Sequence, residues 1–410
     1  MIKLGVKVRP TQRRRICLTL ASTLVLAAAH MTGQPAGDAA SQRQTALTLE
    51  QQGKNAEAEA AWRLYLKAYP SNPEPYAHLG LLEARQEHYA VAAPLYRKAL
   101  ALNPAIPGLQ LNLGLALFKG GELKQAIVEF KSLLKSQEPA SAEGQRLTIL
   151  IGMAYYGLAE YAEAVPYLQQ AAARDTRNLS LRLTLAHSCL WSGQNKCVVN
   201  TSQEILSLDP ESAEADMLVG EALDEMKDRN GAIAQFRAAL KVNPKTPDAH
   251  FSLGYVLWIL KQYPEAASEF QAELDNNPNH AQAMTYLADV DLQMGHDEAA
   301  LPLLEKAIKL NSELELVHLD LGILYAGAGR QDDALREMKE AERLDPADVN
   351  VHWRLGRLYR TMGKKDEAKI EFDKASQINK MAKDSLIDKI DRDRAHPPQA
   401  QPPAPESPEK

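Results

Sequence analysis

The chain has 410 residues, which suffices for two or three ordinary domains or for one long repeat array. Apolar residues make up 45% of it but aromatic residues only 6%, and this balance favours helices, because strands prefer aromatic and β-branched side chains. The formal charge is −6 and no long basic run follows the first fifteen residues, so we expect no nucleic-acid partner.

The N-terminus has the three parts of an export signal. Basic residues without an acidic one precede an uncharged stretch from Ile16 to Ala29, which ends in small alanines. The pattern predicts a signal peptide over residues 1–29, a linker over residues 30–38, and export to the periplasm or the cell surface. The alternative is an uncleaved signal that anchors the chain in a membrane, although the apolar stretch is shorter than the roughly 20 residues of a membrane-spanning helix.

The most regular feature of the chain is a 34-residue period. Pro70 and Pro104 are one period apart, as are Pro210 and Pro244, and the two series are offset by four residues. A short insertion near residues 139–143 accounts for the offset. Ten repeats over residues 39–382 follow from this frame, beginning near residues 39, 73, 107, 145, 179, 213, 247, 281, 315 and 349.

Two columns of small residues recur in this frame. The first column lies 24 residues before the end of the period and holds only Gly or Ala, and the second lies 12 residues before it and holds Ala in nine of ten repeats. Apolar residues at helical spacing predict two amphipathic helices of about 12–14 residues in each repeat. We expect the two small columns to face each other, so that the paired helix axes approach closely.

Turn signals separate the predicted helices. Six repeats have a glycine between their two helices, where it can adopt the left-handed conformation that ends a helix. These glycines are Gly53, Gly121, Gly193, Gly295, Gly329 and Gly363. An Asn-Pro or Asp-Pro pair ends the second helix in several repeats, because a proline disfavours helix at the residue before it and lacks a backbone donor.

The small columns, an aromatic column and the terminal proline together resemble the tetratricopeptide repeat. The match is clearest in two repeats, which carry Tyr76, Leu79, Gly80, Ala92, Tyr96, Ala99 and Pro104, and Phe251, Leu253, Gly254, Ala266, Phe270 and Pro278. The resemblance covers about residues 39–382 and implies an all-α fold, a right-handed superhelical solenoid of antiparallel helix pairs. Such an array needs a polar end, and we expect a capping helix over residues 383–395, followed by a proline-rich disordered tail over residues 396–410.

The resemblance also implies that the first helices line a concave inner face that holds partner peptides. Aromatic and arginine side chains are typical anchors of binding sites, and the residues at inner-face positions therefore predict a peptide-binding groove. The candidates are Phe118, Tyr156, Trp191, Phe251, Tyr255, Trp258, Trp353, Arg357 and Arg360. A negative patch is predicted at Glu214, Glu221, Asp224 and Glu225. The alternative for each aromatic side chain is ordinary packing against a neighbouring helix.

The chain contains no motif for catalysis, metal binding or cofactor binding, such as HExxH, GxSxG or a phosphate-binding glycine loop. We therefore expect a non-catalytic scaffold that binds other proteins or peptides, with no cofactor, no metal and no small-molecule substrate. The export signal favours a role in cell-envelope assembly or secretion, and a regulatory or accessory subunit of an envelope enzyme complex is the alternative. A membrane is a partner only if the signal stays uncleaved.

Two cysteines flank the turn of the fifth repeat at Gly193. Cys189 and Cys197 would lie on the two helices of one hairpin, which could bring them within the Cα separation of about 4.4–6.8 Å that a disulfide needs. Export would permit their oxidation. The alternative is a pair of small buried thiols, because cysteine can replace alanine in helix packing.

Overall fold

The computed structural model describes residues 36–138 and 140–395, and within these ranges it contains helices and no strand, which confirms the all-α class. The helices are α1 (Ala36–Gln51), α2 (Asn55–Ala68), α3 (Pro73–Arg85), α4 (Tyr89–Leu102), α5 (Leu109–Lys119), α6 (Leu123–Leu134), α7 (Ala142–Gly157), α8 (Tyr161–Arg174), α9 (Leu179–Trp191), α10 (Asn195–Leu208), α11 (Ala213–Glu225), α12 (Arg229–Val242), α13 (Ala249–Ile259), α14 (Tyr263–Asn276), α15 (Ala281–Met294), α16 (Asp297–Leu310), α17 (Glu315–Gly327), α18 (Gln331–Leu344), α19 (Val349–Thr361) and α20 (Lys365–Ala395).

The helices fall into two compact units, the first ending at Leu109 and the second beginning at Gln110. In the first unit, each helix from α1 to α4 packs against the next. In the second unit, consecutive helices from α6 to α20 do the same, and short turns make the neighbours antiparallel. Each of the odd-numbered helices from α9 to α17 also contacts the next odd-numbered helix. We call α9, α11, α13, α15, α17 and α19 the first-helix layer, because each is the first helix of its repeat.

The small residue of a first helix packs against a large side chain of the second helix, one turn beyond the small column. A methyl group placed on Gly254 would lie 2.8 Å from Cε1 of Phe270, closer than real Cβ atoms approach ring carbons. In one pair the two small columns do approach each other, since the backbone oxygen of Ala334 lies 3.3 Å from a methyl group placed on Gly322. In the pair of α13 and α14, Ala266 is fully buried, and the ring of Phe270 is the nearest neighbour of Gly254. The same pairing recurs in Gly80–Tyr96, Gly114–Phe130, Gly152–Leu168, Gly220–Phe236, Gly322–Met338 and Gly356–Phe372.

The turn between the paired helices is left-handed throughout, as predicted for the six glycines. Gly53, Gly121, Gly193, Gly295, Gly329 and Gly363 have φ between 71° and 81°. The equivalent residues of the other four repeats adopt the same conformation without being glycine: Glu87 (φ 62°), Ala159 (57°), Lys227 (68°) and Lys261 (61°). The position in the repeat therefore determines the left-handed backbone conformation. A residue with a side chain adopts this conformation there at a cost of roughly 1–2 kcal/mol in folding free energy.

We expect glycine to stabilise the turns that lack it. Ala159→Gly and Lys261→Gly relieve the left-handed penalty and should raise the free energy of unfolding by about 0.5–1 kcal/mol each, after the greater chain entropy of glycine is subtracted. Urea denaturation followed by circular dichroism measures the change. Gly329→Ala is the matched reverse substitution, with open space around its Cβ, and should lower stability. A loss of stability in Ala159→Gly and Lys261→Gly, or a gain in Gly329→Ala, would contradict the explanation.

The ends of the second helices also follow the sequence. Asn103 and Asp345 are C-caps that precede prolines. The Oδ1 atom of Asn103 accepts a hydrogen bond from the backbone N–H of Ala105 at 3.0 Å, and Oδ1 of Asp345 accepts one from Ala347 at 2.9 Å. Each side chain thus forms a turn with the backbone two residues further on, which explains why Asn or Asp precedes the proline.

The insertion and the C-terminal end differ from the regular repeats. The connection between α6 and α7 spans residues 135–141, where the period is offset, and Ser141 caps α7 by accepting a hydrogen bond from Gly144 N–H at 3.0 Å. A separate capping helix over residues 383–395 was predicted, but α20 runs through this range without a break, because no glycine or proline interrupts it. At the other end, α1 begins at Ala36, so the last residues of the predicted linker are helical.

The predicted signal peptide and the predicted proline-rich tail lie outside the described residues. Within the described part of the chain, no helix combines the length and the hydrophobicity needed to cross a bilayer.

The fifth helix pair, α9 and α10, is built differently from the others. Its small residue is Ala186, and the position of the ring is taken by Ser202, which is fully buried and whose Oγ has no hydrogen-bond partner. Here Cys189 and Cys197 form a disulfide with a Cα separation of 5.7 Å. We infer that the covalent link holds together a pair that lacks the usual interlocking ring.

Candidate functional site

An aromatic cluster joins α7, α8 and α9. The ring of Trp191 lies 4.7 Å from that of Tyr161, 5.1 Å from that of His187 and 5.9 Å from that of Tyr156. Half of the Trp191 surface (50%) remains exposed. His187 Nε2 lies 2.7 Å from Glu214 Oε1 on α11, so an acidic group adjoins the rings. The structure thus brings two sequence-predicted candidates together and adds Tyr161, which begins a second helix.

A second aromatic cluster connects α13 to α15. Phe251, Tyr255 and Trp258 lie on one face of α13, and Tyr286 of α15 packs edge-on against Tyr255 and Trp258, with centroid distances of 5.3 and 5.0 Å. The indole N–H of Trp258 donates to Oδ2 of Asp289 at 2.5 Å. All three predicted rings are partly buried, so they serve helix packing as well as any contact with a partner.

A third group lies on α19. Trp353 keeps 46% of its surface exposed, and the guanidinium carbons of Arg357 and Arg354 lie 4.9 and 5.9 Å from its ring centroid. This geometry suits a cation–π contact, which is worth about 0.5–1 kcal/mol at an exposed site. The candidates Trp353 and Arg357 therefore lie together, and the aromatic ring between the two arginines is exposed.

Two predicted candidates contact the second helix of their own pair. Phe118 packs at 6.3 Å from Phe130 of α6, and the guanidinium carbon of Arg360 lies 6.0 Å from the ring centroid of Phe372 on α20. Neither joins a cluster with the remaining candidates. The resemblance implies which positions of a repeat face the inner surface. At these two positions the side chains contact a ring of the paired second helix.

Three of the four residues of the predicted negative patch line a cavity of about 210 Å³ between α11 and α13, and the fourth, Glu214, contacts His187 instead. Its walls include Glu221, Asp224 and Glu225 on one side and Phe251 and Tyr255 on the other. Burial, together with the carboxylates of Asp248 and Glu225, raises the pKa of Glu221 to about 7. Asp224 forms an ion pair with Arg229. The cavity therefore offers an aromatic wall with carboxylates at its rim.

A further acidic cluster, which the sequence analysis did not identify, lies where α15 contacts α17. We call Asp289, Glu315 and Asp320 the α15–α17 acidic cluster. Asp289 and Asp320 are buried, and Oε1 of Glu315 and Oδ2 of Asp320 have no hydrogen-bond partner. Burial and the charges of Asp289 and Glu315 raise the pKa of Asp320 well above its usual range, although Arg354 acts in the opposite direction. Burial and the charges of Asp348 and Asp345 raise the pKa of Glu315 to about 7.

Three histidines at one position of the repeat link neighbouring repeats. Nε2 of His352 donates to the carbonyl oxygen of Pro346 at 3.0 Å, and its Nδ1 lies 2.7 Å from Oε2 of Glu371. His250 and His318 have equivalent partners, each with a carbonyl oxygen from the end of the preceding repeat. These contacts give the three histidines a structural role at the joints between repeats.

Two groups in the described chain bring His and carboxylate atoms within 4.8 Å of one another. In the first, Nδ1 of His280 accepts from Ala283 N–H, so its Nε2 carries the proton and faces Asp248 at 3.1 Å. In the second, which includes His352, the carboxylates of Glu342 and Glu371 pair with Lys339 and Lys374 at 2.7–3.2 Å. Several members of both groups thus already have hydrogen-bond or ion-pair partners within the chain.

Comparison with known families identifies the architecture. Sequence models described as tetratricopeptide repeat match residues 78–142, 220–281, 262–315 and 319–379, and a second such model matches residues 146–178. Together they cover more than half of the chain. The chain belongs to the tetratricopeptide repeat family. Members of this family are generally non-catalytic scaffolds whose partners are proteins or peptides.

Individual relatives of this tetratricopeptide array are distant. Anaphase-promoting complex subunit 6 of Arabidopsis thaliana is 26% identical over 133 residues, which cover 32% of this chain and 24% of that protein. The chain thus matches about a quarter of the length of this curated relative. A tetratricopeptide repeat protein from Parabacteroides merdae has a TM-score of 0.47 at 18% identity and covers 65% of this chain and 97% of its own. YrrB, described as having an unusual peptide-binding site, has a TM-score of 0.37 at 22% identity, with 44% and 93% covered.

Proposed function

We propose that this tetratricopeptide array is a non-catalytic scaffold that binds peptide segments of partner proteins along its first-helix layer, in cell-envelope assembly or secretion. The observation that carries the proposal is the exposure of large aromatic side chains on this layer. Trp191 and Trp353 each leave about half of their surface in solvent, so that half is free to contact a partner. Tryptophan and arginine are the residues that most often dominate binding energy.

The surroundings of these tryptophans support the same proposal. Tyr156, Tyr161 and His187 hold Trp191 in place, and Arg354 and Arg357 flank Trp353. Side chains that are fixed before binding lose little rotamer freedom on contact with a partner. The envelope assignment is supported by the export pattern of residues 1–29 and by the Cys189–Cys197 disulfide, because disulfides persist in oxidising compartments.

The test is capture of partners with the full chain, followed by affinity measurements on purified variants. We expect Trp191→Ala and Trp353→Ala to weaken binding of a captured partner at least tenfold, because a truncated hot-spot residue costs about 2 kcal/mol or more. Ile370→Ala on α20 is the matched control, since Ile370 is equally exposed (55%) outside the first-helix layer.

Unchanged affinity in both tryptophan variants, with the thermal transition also unchanged, would reject this surface as the binding site. A single enzyme that copurifies at fixed stoichiometry would instead favour an accessory subunit of an enzyme complex.

A further inference from the structure

The α13 aromatic face is bordered by carboxylates on both sides. On the α11 side, Glu221 and Glu225 line the cavity that Tyr255 also lines. On the other side, Trp258 donates directly to Asp289, a member of the α15–α17 acidic cluster. Any segment that lies across Tyr255 and Trp258 therefore meets acidic groups at both of its ends.

Among the described residues, no cation forms an ion pair with the α15–α17 acidic cluster. Asp320 is 1% exposed, and within the same part of the chain its Oδ2 has no hydrogen-bond partner, as is also true of Oε1 of Glu315. The nearby cation, Arg354, lies beside the ring of Trp353 and forms no ion pair with Asp320 within 4 Å in the described chain. A buried carboxylate without a partner, among other carboxylates, is unfavourable unless it is neutral or a cation approaches it.

The spacing of the three carboxylates favours a side-chain cation over a metal ion. Among the described residues, the groups whose ligand atoms converge within 4.8 Å do not include the α15–α17 acidic cluster. A guanidinium or an ammonium on a long flexible stem can approach carboxylates that are too far apart to share one small ion.

We propose that the segment bound across α11, α13, α15 and α17 is cationic: apolar side chains contact Tyr255 and Trp258, and Lys or Arg side chains reach Glu221 and Glu225 at one end and the half-buried Glu315 of the α15–α17 acidic cluster at the other. This inference rests on the proposed function and adds the chemistry of the ligand. Adjacent helices pack 8–10 Å apart, so the four helices span roughly 25–30 Å. An extended segment of about eight to ten residues covers that distance.

The test uses the full chain and three fluorescent peptides of about ten residues with the same Leu and Trp positions. Their remaining positions are Lys, Gln or Glu. Fluorescence polarisation should show that the Lys peptide binds at least tenfold more tightly than the Gln peptide and that the Glu peptide does not bind. Glu315→Gln together with Asp320→Asn should weaken Lys-peptide binding about tenfold or more, because charge-assisted hydrogen bonds are lost.

The control separates a specific site from general attraction to an acidic protein. Glu298→Gln with Glu305→Gln replaces two carboxylates at exposed positions on α16 and should change the affinity less than twofold. Equal losses in the two double variants would overturn the proposal. Asp320→Asn alone should raise the melting temperature, since it removes a buried carboxylate from the neighbourhood of like charges. A lowered melting temperature would indicate that Asp320 has a purely structural role, and this result would also overturn the proposal.

The outcomes also separate this inference from the proposed function. Tight binding of the Gln or Glu peptide, lost on Trp258→Ala, would keep the binding surface and reject its preference for cations. Failure of all three peptides to bind, together with captured partners that ignore Trp191→Ala and Trp353→Ala, would reject both.

Discussion

Gly254→Ala should lower the free energy of unfolding by about 2 kcal/mol, although alanine is the better helix former by about 1 kcal/mol. The added methyl group would lie 2.8 and 2.9 Å from two ring carbons of Phe270. That ring cannot retreat easily, because it is fully buried and Phe251 and Tyr286 pack against it at 6.0 and 5.7 Å. Overpacking a rigid core typically costs 1–3 kcal/mol in stability. The expected net loss is what remains of this cost after the gain in helix propensity is subtracted.

The measurement is urea denaturation, with hydrogen exchange to show that the loss begins in α13 and α14. Gly327→Ala is the matched control, since Gly327 also lies in a first helix but has no atom within 4 Å of the added methyl group. It should not lose stability.

A compensating change provides the sharper test of the interlock. The eighth repeat pairs Ala288 with Leu304 at the two equivalent positions, and both are fully buried. Gly254→Ala combined with Phe270→Leu reproduces this natural pair, and the double variant should be more stable than the sum of the single effects predicts, by at least 0.5 kcal/mol. Strict additivity would show that Gly254 and Phe270 do not interlock.

Removal of the disulfide should destabilise α9 and α10 by about 2–3 kcal/mol. The link joins residues eight apart, and closing so short a loop restricts the unfolded chain by roughly 2.5 kcal/mol in the chain-entropy description. The loss should stay local, because a repeat array contacts mainly its nearest neighbours. Cys189→Ala with Cys197→Ala, compared with the oxidised parent by hydrogen exchange, should show faster exchange in this hairpin.

A reducing agent should reproduce the effect in the parent and have none in the double variant. If reduction leaves the stability of the parent unchanged, the disulfide does not stabilise the α9–α10 pair, and the explanation is contradicted. The thiol state of protein taken from its native compartment also bears on the proposed envelope location, since alkylation of both cysteines without prior reduction would argue against it.

Local patterns in the sequence predicted two helices in each repeat and the residues that end several of them. The turn glycines and the residues before proline act within a few positions of the chain, and α14, for example, ends at Asn276, next to the Asn277-Pro278 pair. The left-handed turns at Ala159 and Lys261 could not be read from those residues, which disfavour that conformation. Only the register of the period, carried over from the glycine-containing repeats, points to them.

Contacts between repeats were harder to predict. Tyr286 and Asp289 contact side chains of the preceding first helix, α13, and the pKa of Asp320 depends on charged groups of the first helices on both sides. The repeat period shows that a residue lies on a first helix, but it does not show which neighbouring repeat the side chain faces. The pairing of Gly254 with Phe270 was missed for a related reason. Ala266 and Phe270 are one turn apart on α14, so helical periodicity predicts that both lie on the same buried face. Only the size of the phenyl ring makes Phe270 the nearest neighbour of the glycine.

The histidine links described above have an evolutionary consequence. His250, His318 and His352 each bond to a main-chain oxygen of the preceding repeat and to a glutamate of their own. The neighbour contributes only its peptide group, which every sequence provides, and so a duplicated copy carries all the side chains that its own histidine link requires. Gene duplication or deletion can thus lengthen or shorten such an array without a matching change elsewhere.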